Sequence, residues 1–266
     1  MAQTQTKPRP SLLNGVFSVW LRHVLVWRTH FISALCTQFI SPSLFLFAFG
    51  FGLGSVINKL NGINYLLFVI PGVIANAVFF TSSFEGSVQA FSRFYTQRTY
   101  AAILASPVTL MEILWGEVLV AASKATFAAA TTLCVAFAVG GVGSPIGGLL
   151  MLPVVFLCAL CFCACALFAM SCARGFEFFN YFFALWVTPA FLFCGVFFSI
   201  DRYPDWVQHL VYLLPMTHMI EVIRPLMVGL PMDPLMITMH LVYVAALGIL
   251  ALTAAHHKLQ KRLMDK

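Results

Sequence analysis

Charge is what this sequence has least of. Only 9% of its 266 residues are Asp, Glu, Lys or Arg, where a soluble globular domain carries about 25%. So little charge excludes an ordinary water-soluble fold, and a 61% hydrophobic content with a mean hydropathy of +0.93 agrees. Nucleotide-binding chemistry is missing as well. No G-x-x-x-x-G-K-[ST] stretch occurs, and none of the 17 glycines is followed by lysine, so there is no recognisable phosphate cradle. There is no H-E-x-x-H either; His218 and Glu221 make only a lone H-x-x-E, which gives a membrane enzyme little support. No polar loop holds cysteine. All eight (Cys36, Cys134, Cys158, Cys161, Cys163, Cys165, Cys172 and Cys194) fall inside apolar runs, which argues against a secreted disulfide framework. No small-residue cleavage site marks a removable signal peptide.

What is present is a succession of apolar runs. Residues 1–10 are polar and read as a disordered tail. Residues 11–29 then place Leu13, Phe17, Trp20, Val24 and Trp27 on one face and Asn14, Ser18 and Arg22 on another, the pattern of an amphipathic helix lying in the membrane interface. Six spans follow, at about 31–53, 64–90, 110–139, 146–171, 178–199 and 235–256. Runs of this length in lipid are helices, because the backbone must satisfy its own hydrogen bonds. The fold class is therefore all-α and integral to the membrane, with a membrane domain over 11–256 and a basic tail over 257–266.

Basic residues fix the orientation. With both termini inside, the cytoplasmic side holds Lys7, Arg9, Arg22, Arg28, Arg93, Arg98, Arg174, Lys258, Lys261, Arg262 and Lys266, and the outside only Lys59, Arg202 and Arg224. The net charge of +6 thus belongs to membrane orientation and not to nucleic-acid binding.

Several residues invite a functional reading. Glu85 ends the second span, Glu117 lies in the first turns of the third, and Lys124 sits two turns deeper. On antiparallel helices Glu85 and Glu117 share a depth, and Lys124 is carried toward mid-membrane, where an uncompensated charge is costly. A translocation path or gate and a structural ion pair both fit. Tyr181 and Trp186 belong to a ring-rich fifth span that either lines a path for sugars and acyl chains or packs against lipid and core. Cys158, Cys161, Cys165 and Cys172 fall on one helical face, suited to a soft metal or to close helix packing. Beyond the fifth span, 200–231 reads as short re-entrant or interfacial helices, with Asp201, Trp206 and His218 at the outer mouth and Glu221 spaced to pair with Arg224.

Four stretches carry a family resemblance: "VWLRHVLVWR" (19–28), "SPSLFLFAFGFGLG" (41–54), "SFEGSVQAFSRFYTQRTYAAILASPVTLMEILWGE" (83–117) and "FFSIDRYPDWVQHLVYLLPMTHMIEVIRPLMVG" (197–229). Together they resemble the permease subunit of type-2 ABC (ABC-2) exporters, nearest the nodulation lipo-oligosaccharide exporter branch. That resemblance implies six spans after an N-terminal interfacial helix, with short re-entrant helices before the last. It implies a bacterial inner-membrane permease working as two copies with two cytoplasmic ABC ATPase subunits. ATP and Mg would be bound by the ATPase and no cofactor or metal by this chain. The loop near 92–106 would be a coupling helix docked on the ATPase through Arg93, Gln97 and Arg98, with Arg174 and Glu177 adding contacts. The cargo class it implies is a lipo-oligosaccharide, glycolipid or lipid-linked polysaccharide, alongside membrane lipids as surroundings. A drug-like amphiphile is the alternative cargo. A metal- or haem-handling protein built on the cysteine-rich fourth span is the alternative of another class.

Overall fold

The computed structural model describes residues 12–57, 59–60 and 62–264; the polar tail expected over 1–10 lies outside them. The chain opens with α1 (Leu12–Thr29) and α2 (Phe31–Phe45), which widens into a π-helical segment (Leu46–Gly52) and a short 3-10 turn (Leu53–Ser55). A two-residue hairpin pairs Lys59–Leu60 with Ile63–Asn64 and leads into α3 (Tyr65–Phe84). Asn64 caps α3 by accepting the Leu66 N–H at 3.0 Å, which satisfies one orphan donor of the first turn. Next come α4 (Thr99–Leu104), α5 (Leu110–Ala138) and α6 (Pro145–Cys172). A broken helix follows, α7 (Glu177–Phe182) joined to α8 (Thr188–Phe193) through a π-turn, and then α9 (Asp205–Val211), α10 (Pro215–Val228) and α11 (Pro234–Met264).

Among the described residues, five helical stretches are long and apolar enough to cross a membrane, or six if the bent pair α9–α10 is one span: Phe31–Ser55, Tyr65–Thr96, Leu110–Ala138, Pro145–Cys172 and Pro234–Met264. The pair α9 and α10 is bent by 91°, a shape that suits either the re-entrant element expected for 200–231 or a single broken span. Three boundaries differ from the sequence reading. The second span does not stop near residue 90; it continues through π-turns at Glu85–Gln89 and Ser92–Thr96. The fifth is shorter than expected, Glu177–Phe193, ended by Gly195 in the left-handed region at φ +83°. The basic tail stays helical to Met264. Its Lys258 Nζ lies 3.1 Å from Cys172 Sγ, and Arg262 donates to the Ser171 carbonyl at 3.1 Å, so cations sit where a helix C-terminus favours them.

Helix α6 is the hub, packed against α3, α5, α10 and α11. Small residues let its neighbours approach. The backbone of Gly248 on α11 is so close to Cys161 that an added Cβ would stand 3.1 Å from the Cys161 Cα, and Gly86 abuts Cys163 in the same way. Cys158, Cys161 and Cys163 are buried free thiols, and among the described residues no cluster of His, Cys, Asp or Glu has the arrangement to hold a metal. This is the close-packing alternative for the cysteine run.

Helix α1 lies against α5, and its apolar face is shared between α5 and the outside. Val16, Val19 and His23 are buried, whereas Leu13 and Phe17 are 78% and 56% exposed. Glycines decide where the two backbones meet: Gly15 presses on Glu112 and Gly116 on Val19. Trp20 adds an Nε1–H bond to Ser123 Oγ at 3.2 Å, and the rings of Trp27 and Phe127 meet edge-on at 5.3 Å. Glu112 also completes a capping box with Thr109, fixing the start of α5 just after the Ser106-Pro107 break. A Cβ at Gly116 would lie 2.5 Å from Val19 Cγ1. Gly116→Val should therefore cost about 1–3 kcal/mol by overpacking and free α1; limited proteolysis in detergent should cut first within residues 12–29, and a wild-type pattern would contradict this docking.

Candidate functional site

Two carboxylates that would be intolerable alone in a membrane interior are brought together with their counter-charges where α1, α5 and the end of the second span meet. Glu117 is 1% exposed and receives the Arg93 guanidinium through Nε (2.8 Å to Oε1) and Nη2 (2.5 Å to Oε2). Arg93 Nη1 also stands 3.6 Å from Glu85 Oε2, and Nη2 donates to the Glu85 carbonyl at 3.3 Å. Lys124 Nζ closes the set on Glu85 Oε1 at 2.7 Å. His23 Nε2 lies 3.4 Å from Glu117 Oε1; burial lowers its pKa, outweighing the pull of Glu117, so the imidazole adds no charge. Two negative and two positive groups then balance, and Lys124 is an ion-pair member rather than an isolated or snorkelling cation.

The Arg93 placement corrects the sequence reading. Arg93 was expected on the ATPase-facing surface; because the second span runs on to Thr96, its side chain is instead 11% exposed and turned inward. The surface residues of that end are Gln97, Arg98, Arg174 and Glu177, all exposed. Among the described residues Arg98, Arg174 and Glu177 have no ion-pair partner within 4.0 Å. Arg98 stands at φ +51°, the one non-glycine residue with positive φ among those described, and turns the chain into α4. That helix buries Tyr100 and exposes Ala101 and Ala102, which leaves a smooth outer face beside Arg98.

Glu85 also reaches a groove of about 630 Å³. One wall is α2 with Thr37, Gln38, Pro42 and Phe45; the floor is α3 with Asn76, Phe80, Thr81 and Phe84; the other wall is Phe183, Val187, Thr188 and Phe191. Amide and hydroxyl groups thus alternate with rings along one surface, in the size range of cavities that hold small amphiphiles. Tyr181 and Trp186, expected to line a path, do not reach it: Tyr181 is 67% exposed on the outside of its helix and Trp186 packs half-buried against the core. Helical phase decides this, since the π-turn at Phe183–Val187 rotates Phe183 and Val187 inward instead.

At the opposite end, Arg224 and Glu221 do not form the expected ion pair; among the described residues no charged partner of Arg224 lies within 4.0 Å. Arg224 instead donates to the carbonyls of Phe68 and Gly195 and covers the Phe68 ring at 3.9 Å. The guanidinium fork reaches backbone acceptors on two elements and joins α10 to α3 and to the end of α8. Asp201 accepts from Ser199 Oγ at 2.9 Å, and Trp206 is 68% exposed on α9, as for an interfacial tryptophan. His218 links α10 to α11: Nε2 donates to the Tyr212 carbonyl at 2.9 Å, so its Nδ1 accepts from His240 Nδ1 at 2.7 Å. His240 and Tyr243, whose ring lies 4.1 Å from His218, are absent from the sequence reading. Their spacing from His218 across the 229–234 turn carries no local signal.

The structure is thus a helical membrane bundle with a docking helix α1, a sharply bent helix pair α9–α10 and a groove that ends on buried charge. Residues 15–228 match the family described as ABC-2 type transporter. The chain is 34% identical over 215 residues to Nodulation protein J of Rhizobium meliloti, covering 81% of this chain and 82% of that protein. It is 31% identical over 248 residues to Nodulation protein J of Sinorhizobium fredii (93% and 94%). To the Inner membrane transport permease YadH of Escherichia coli it is 26% identical over 223 residues (83% and 86%). The chain belongs to the ABC-2 type transporter family, and is a membrane-integral transporter subunit.

Breaking the cluster should be asymmetric. Glu117→Leu leaves Arg93 held only through Glu85, and removing one partner of a buried pair costs about 3–5 kcal/mol. Lys124→Met leaves Glu85 with Arg93 and should cost less. Thermal denaturation in detergent reads both, and equal losses would contradict the shared-arginine geometry. His240→Leu strands His218 Nδ1 and should cost about 1–3 kcal/mol, with His240→Gln, which restores a donor, recovering part of it.

Proposed function

We propose that the chain is the transmembrane permease of an ATP-driven exporter of the bacterial inner membrane, moving an amphiphile with a sugar headgroup and an acyl tail. Lipo-oligosaccharides, glycolipids and lipid-linked polysaccharides form that class. The observation carrying this reading is the groove: side chains able to bond hydroxyls (Gln38, Asn76, Thr81, Thr188) interleave with rings that accept hydrocarbon (Phe45, Phe80, Phe183, Phe191). Similarity to proteins called Nodulation protein J supports the sugar-bearing cargo. The preponderance of rings also suits a drug-like amphiphile, which is the second reading.

In this proposal residues 11–256 form the transmembrane domain, and both termini face the cytoplasm. Two copies work with two ABC ATPase subunits, which bind ATP and Mg. The ATPase docks on the exposed end formed by Gln97, Arg98 and α4, with Arg174 and Glu177 beside it. ATP binding draws the ATPases together and displaces α4, favouring one of two arrangements of the spans. Cargo enters the groove from the membrane and leaves on the outer side.

Co-expression with an ABC ATPase and purification in detergent tests the assembly, and its ATP hydrolysis tests the function. Arg98→Glu with Arg174→Glu should lower co-purification about tenfold, near 1.4 kcal/mol of binding. Undiminished assembly would remove these residues from the contact, and failure of every ATPase to bind the wild-type chain would remove the exporter reading. Lipid extracts from cells with and without the gene separate the two cargo classes.

A further inference from the structure

We infer that Arg93 is a positioning residue for transport, the joint through which movement of α4 reaches the groove; this rests on the exporter reading above. Three observations lead there. First, Glu85 and Arg93 each lie in a π-turn of the same helix. Such wide turns are rare and mark functional positions more often than ordinary ones, and each is a place where a helix can shift register. Second, one guanidinium serves two carboxylates on two elements, with direct bonds to Glu117 and a longer 3.6 Å contact to Glu85. Lys124 already holds the other oxygen of Glu85, so Arg93 can leave Glu85 without stranding it. Third, the joint is mechanically connected at both ends. Toward α4, the Phe94 ring meets Tyr100 edge-on at 5.5 Å. Tyr100 is buried beside Arg93 and Glu117. Toward the groove, Glu85 is itself part of the lining, next to Phe84 and Thr81.

A push on α4 therefore cannot be absorbed locally. Tyr100 has no free space, Arg98 supplies the hinge, and Phe94 is in the same turn as Arg93. Displacement of that turn changes the Arg93–Glu85 separation and with it the position of Glu85 at the groove. A residue that merely neutralised Glu117 would need neither the second carboxylate nor the ring contact.

The test uses the permease–ATPase complex in lipid nanodiscs and hydrogen–deuterium exchange of residues 76–85, with and without ATP plus vanadate. The wild-type complex should show at least a threefold nucleotide-dependent change in exchange there. In Arg93→Gln complexes that assemble with the ATPase, that change should be lost. Phe94→Leu, which leaves every ion pair in place, guards against misfolding of the first variant and should reduce the change by at least half. A wild-type response in Phe94→Leu, or in a folded Arg93→Gln complex, overturns the inference, as does a wild-type complex without nucleotide-dependent exchange in 76–85. Absence of any ATPase complex would instead strike the exporter reading itself.

Discussion

The organisation of this protein depends on keeping Glu117 ionised and paired where water does not reach it. A carboxylate at 1% exposure is tolerable only with a charged donor held in good geometry. Arg93 is that donor, and it can reach Glu117 only because the second span extends past residue 90 as π-helix. The requirement orders everything at the basic end. It sets the length of the second span, the reversal at Arg98, the burial of Tyr100 and the position of α1, whose His23 closes the remaining side of Glu117. Lys124 meets the same requirement for Glu85, one turn nearer the groove.

The bundle was legible in the sequence because its signal is long and redundant: twenty or so apolar residues per span survive errors of a few positions. The helix before the first span and the short broken pair near 200–231 followed from charge and length, and the ion pair was one of two readings open for Lys124. What was not legible depended on phase or on distant backbone. Arg93 looked like a loop residue because hydropathy falls along the polar and basic stretch from Ser92 to Thr99, and π-turns leave no mark in composition. The docking face of α1 is set by two glycines, Gly15 and Gly116, which the periodicity of large apolar residues overlooks. Tyr181 and Trp186 point away from the groove because a π-turn rotates the helix by a fraction of a turn. Arg224 forgoes Glu221 for two carbonyls that only the tertiary fold places nearby, and the His218–His240 pair joins helices whose register no local pattern specifies.

Groove and charge cluster are built from the same helices, which explains their adjacency. The second span supplies the floor of the groove and, further along, both Glu85 and Arg93. The first span and the broken helix Glu177–Phe193 supply only walls. Those walls are the less anchored parts: only 12% of the first span's apolar window is buried, while the second span is two-thirds buried and packed on α5 and α6. A well-packed floor, flanked by walls with few internal contacts, allows the groove to change width without disturbing the core.

The brevity of the helix Glu177–Phe193 bears on the surrounding bilayer. Its 17 residues extend about 26 Å, against about 30 Å of hydrocarbon. Lipid next to this wall has to thin, or to bring its headgroups inward, and mismatch of this kind costs fractions of a kcal/mol per Å. A polar headgroup crossing beside this short wall would meet a thinner apolar barrier than beside a full-length span.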